Sequence, residues 1–121
     1  MSYEYPRYGA KHVTCVGKLT NAAGAATLAR FTAYQNAKLI DVFAIVHNGA
    51  GTGATSGWTI KKATTSIGAI AASSSAAGSI VGAALTDTDI VATDVINIEN
   101  TISDTNLQGF VYVVWQENFA R

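Results

Sequence analysis

The sequence predicts an all-β chain, an antiparallel β-sandwich of about eight strands preceded by an extended N-terminal arm, and three observations carry that reading. Thr, Val and Ile supply 34 of the 121 residues and only one proline interrupts them, a composition that favours strands over helices. Turn signals recur about every dozen residues, the spacing of sandwich strands. Between Lys62 and Asp87 no charged residue occurs for 24 positions, and this run of Ala, Ser, Thr and Gly is punctuated by isolated Ile and Val.

Taken in order, Met1 to Ala10 forms the arm, with Tyr3, Tyr5 and Tyr8 set around Pro6 and Arg7 and no periodic pattern. Pro6 biases Tyr5 towards extended backbone, and tyrosines bury large areas at small entropic cost, so the arm is suited to anchoring on a neighbour; the plain alternative is a frayed terminus. Residues 11–121 then make a single domain, with strands expected near His12–Leu19, Ala26–Tyr34, Leu39–Asn48, Trp58–Thr64, Ser66–Ala71, Ser79–Leu85, Asp94–Asn100 and Leu107–Gln116. The best helix candidate, Asn21 to Ala29, is broken by Gly24. Asp94–Asn100 alternates, Ile96 and Ile98 against Val95, Asn97 and Glu99, as a half-buried antiparallel strand does.

Two strands depart from alternation. In Leu39–Val46, Ile40, Val42, Ala44 and Val46 oppose Leu39, Phe43 and Ile45, so both faces are apolar, and Phe110–Trp115 behaves alike. One face is enough for a core, so the second, with Phe43, Ile45, Phe110 and Tyr112, is expected to meet another subunit unless loops of the same chain cover it. Together with Tyr3, Tyr5, Arg7 and Tyr8 of the arm, these are the candidate partner-binding residues.

The uncharged run could be read as a membrane helix, and Gly78 and Gly82 even form a G-x-x-x-G pair. The hydroxyls of Thr64, Thr65, Ser66, Ser73, Ser74, Ser75 and Ser79, and its glycines, argue against insertion. Charged residues make up only 13% of the chain and the net charge is zero, so colloidal repulsion is weak and life within an assembly is expected. No Lys/Arg stripe exists to neutralise phosphates, which argues against nucleic acid. Cys15 is the one cysteine, so no intrachain disulfide forms, and it is expected to be a small buried residue. Met1 to His12 holds Glu4, Arg7 and Lys11 and no apolar run, so no secretory signal is read and synthesis in the cytosol is expected.

No reaction is named by the sequence, and no cofactor or metal is expected. Gly49, Gly51 and Ala54 fit G-x-G-x-x-A, yet a second β-rich run follows where a dinucleotide fold needs a helix. His12 and His47 lack local catalytic company, and His12 and Cys15, three apart on a strand, point to opposite faces. Both histidines are expected as polar strand-end residues. Asp87, Asp89 and Asp94 suit turns and caps better than calcium, and Asp41, Glu99, Asp104 and Glu117 are not placed as a carboxylate pair by the sequence.

A short β-rich chain with an aromatic arm, a glycine-rich hairpin, and Asn48-Gly49, Ser66-Ile67-Gly68, Thr86-Asp87-Thr88-Asp89 and Asp94-Val95-Ile96 resembles the small jelly-roll-like structural proteins of tailed bacteriophages, particularly capsid decoration (cement) proteins. The resemblance is one of texture, covers about three quarters of the chain and includes no diagnostic motif. It implies a homotrimer on the outside of a capsid, clamping major capsid proteins, with no catalytic residue. The other reading is a phage fibre or receptor-binding module that holds carbohydrate, with Trp58, Trp115 or exposed tyrosines as stacking platforms.

Overall fold

The computed structural model describes residues 8–19, 27–48, 57–71, 76–100 and 108–118, and these carry nine strands and no helix. They are β1 (Tyr8–Leu19), β2 (Thr27–Thr32), β3 (Ala37–Asn48), β4 (Gly57–Lys62), β5 (Thr65–Ala71), β6 (Ile80–Gly82), β7 (Asp89–Ile90), β8 (Val95–Asn100) and β9 (Gln108–Asn118). Every pairing is antiparallel. One sheet runs β1-β9-β3-β6, with β7 also on the outer edge of β3, and the other runs β2-β8-β4-β5. Neighbouring strands thus come from distant parts of the chain, and taking β6 and β7 as one interrupted strand gives the eight strands of a jelly roll.

The expected antiparallel sandwich is therefore present, with its strands close to the expected positions. β1 begins at Tyr8, inside the span read as arm, while Tyr3, Tyr5 and Arg7 lie outside the described residues, as does the glycine-rich segment 49–56. The expected Ser79–Leu85 strand shrinks to Ile80–Gly82 because the chain then leaves β3. It crosses to the second sheet, where the Thr86 amide donates to the Ile67 carbonyl of β5 at 2.8 Å, and returns as the Leu39 amide donates to the Thr88 carbonyl at 2.7 Å. Lys62 Nζ holds this detour by donating to Asp87 Oδ2 and to the Asp89 carbonyl.

The core fills the space between the sheets. Val42, Ala44 and Val46 of β3 and Val111, Val113 and Trp115 of β9 meet Trp58 and Ile60 of β4, Ile67 and Ile70 of β5, and Ile96 and Ile98 of β8. Trp58 is the largest wholly buried side chain, and it lies against Gly109: a Cβ there would stand 3.5 Å from the Trp58 ring and 2.7 Å from the Ile45 carbonyl. The absent side chain lets β9 lie close against the Ile45 carbonyl of β3, and the indole packs beside it at ordinary contact distance.

β-Bulges decide which side chains reach that core. Leu39 pairs with Trp115 and Asp41 with Val114, so Ile40 is an extra residue in β3. Simple alternation sets Leu39 beside Phe43 and Ile45, but the extra residue turns Leu39 inward, 1% exposed, while Ile40 stays partly exposed. A second bulge, between Cys15 and Gly17, brings Gly17 close to Ala29 and Val16 onto the core.

Candidate functional site

The two sheets present opposite chemistry to their surroundings. On the outside of β2, β8 and β4, Arg30 Nε donates to Asn97 Oδ1 at 3.2 Å, Asn97 Nδ2 donates to the Ala63 carbonyl, and Lys61 pairs with Glu99 at 2.7 Å. This is a solvated polar surface whose ion pair contributes about 1 kcal/mol or less.

The outside of the other sheet is apolar across four strands. Each outward position follows from a buried neighbour: Phe43 and Ile45 flank Ala44, while Phe110, Tyr112 and Val114 alternate with Val111 and Val113. Strand register assembles them into rows. Ile80, Ile45 and Phe110 form one with Lys18 at its end; Gly82, Phe43, Tyr112 and Cys15 form the next; Asp41, Val114 and Val13 form the third. Phe43 and Tyr112 stack with centroids 5.2 Å apart and planes 16° apart. Val13 is 64% exposed, Ile80 71% and Phe110 38%.

Four of the eight residues singled out from the sequence, Phe43, Ile45, Phe110 and Tyr112, are thus brought together on one outward face. Tyr8 stands at the start of β1, opposite Asn118. Tyr3, Tyr5 and Arg7 fall outside the described residues. Sequence reasoning missed Val13, Val114 and Ile80, whose strands alternate in a way that would have flagged the first two. It also placed Cys15 in the interior, whereas Cys15 is exposed, since β1 alternation sets it opposite Tyr112 on the outer face.

Neither indole can serve as a stacking platform. Trp58 is 0% exposed, and Trp115 is 7% exposed, with His12 stacked on it at 4.3 Å, Tyr34 edge-on at 5.8 Å and its Nε1 donating to Thr14 Oγ1 at 3.0 Å. His12 is accordingly a mid-strand partner of an aromatic core residue, and its Nε2 lies 3.4 Å from Glu117 Oε1, in place of the strand-end role expected of it. His47 sits exposed near the end of β3. The recess beside Trp115, lined by Phe31, Ala33, Tyr34, Gln35 and Ala37, is a shallow dent with no room for even a water-sized sphere, far short of the roughly 300–1,000 Å³ of ligand pockets.

The acidic residues are spread apart. Asp41 and Glu99 stand on opposite outer faces of the sandwich, Asp89 pairs with Lys38 at 3.6 Å, and Asp94 Oδ2 accepts from the Val91 amide at 2.9 Å as a turn cap. Among the described residues no group of three or more His, Cys, Asp or Glu is placed to hold a metal ion, and no helix is long and apolar enough to cross a membrane. Comparison with protein-family models, with curated proteins and with solved structures gives no match for this chain.

Proposed function

We propose that the chain is a structural protein that works by burying the outer face of its β1-β9-β3-β6 sheet in an assembly, and that the assembly is the outside of a bacteriophage capsid. The observation that carries this is the contrast between the two outer faces, one laced with hydrogen bonds and an ion pair, the other an apolar band four strands wide. An exposed apolar patch of that extent is a mark of an interaction site. A jelly roll does not by itself assign a function, but its use in viral capsid domains agrees with the reading. In this role the chain bridges major capsid proteins and stabilises the shell, with no reaction, cofactor, nucleic acid or membrane involved. It acts as a homo-oligomer, and the resemblance described above points to three copies.

The test is made on particles. Gradient-purified virions from the phage that encodes the chain are expected to carry it at a fixed ratio to the major capsid protein, and shells stripped of it should lose integrity at a lower temperature. Recovery of the chain only from the soluble fraction would reject the proposal. The carbohydrate-binding alternative loses its two indole platforms to the core.

A further inference from the structure

We draw no further inference here: the strongest candidate, the apolar outer face of the β1-β9-β3-β6 sheet around the Phe43–Tyr112 stack, belongs to the site already described, and nothing in the structure shows which molecule covers it.

Discussion

Phe43 and Tyr112 stack across β3 and β9 on the outside of the sandwich, 5.2 Å between centroids, while their chain neighbours Val42 and Val113 are wholly buried on the inside. One ladder thus serves two purposes. Its inner row holds the fold together, and its outer row is available to a partner.

Truncating each row should separate these roles. Phe43→Ser removes an aromatic pair worth about 0.5–1.5 kcal/mol and leaves the core untouched, so urea unfolding should shift modestly while self-association falls sharply. Ile60→Ala empties a wholly buried site and should cost about 2–5 kcal/mol in the same assay. Equal losses of stability for the two variants would place Phe43 in the core.

Much of the fold was legible because alternation is a strong signal where strands are regular. Ile96 and Ile98 are wholly buried and Asn97 and Glu99 face out, as the pattern of that strand requires. Phe43, Ile45, Phe110 and Tyr112 were found because a second apolar face is surplus to a two-layer core. Cys15 and Leu39 were misplaced for different reasons. Cys15 was judged by residue type, although it shares the outward side of β1 with Val13; Leu39 was judged by period, which the bulge at Ile40 resets. The division of one strand into β6 and β7 depends on the hydrogen bond from Thr86 to Ile67 in another sheet, which no local pattern encodes.

The close approach of Gly109 to the Ile45 carbonyl predicts an intolerant position. Alanine at 109 would bring a methyl group to 2.7 Å from the Ile45 carbonyl, a main-chain atom of the neighbouring strand, so that β3 and β9 must separate locally. Gly109→Ala should destabilise the chain by about 1–3 kcal/mol, read as a lower urea midpoint, although it adds only one carbon to an apolar core. An unchanged midpoint would show that the strands yield freely at this point.

A gain of stability is expected at Thr93, which holds φ at 77° in the turn where the Asp94 amide donates to the Val91 carbonyl. That backbone region costs an L-residue about 1–2 kcal/mol, and a β-branched side chain is poorly suited to it. Thr93→Gly relieves the strain and gives part of the gain back as entropy of the unfolded chain, for a net stabilisation of about 0.5–1 kcal/mol. Calorimetry should show a rise in Tm of a few degrees, and a fall would mean that the Thr93 side chain contributes more than its backbone costs.

The bulge in β3 makes a last prediction that runs against intuition for a strand at the centre of a sheet. Leu39 faces the core opposite Trp115, and Asp41 faces out opposite Val114, so these two residues already alternate correctly across the extra Ile40. Removing Ile40 should therefore make β3 regular from Leu39 to Val46, with every other side chain on its present face. Removing Phe43 should instead shift one half of the strand by one position and turn its core residues to the surface, because the side-chain period is two. The Ile40 deletion is expected to unfold cooperatively with a loss of about 1–2 kcal/mol, and the Phe43 deletion to abolish the cooperative transition altogether. If both deletions unfold alike, the bulge is required by the fold and is more than an insertion that the ladder accommodates.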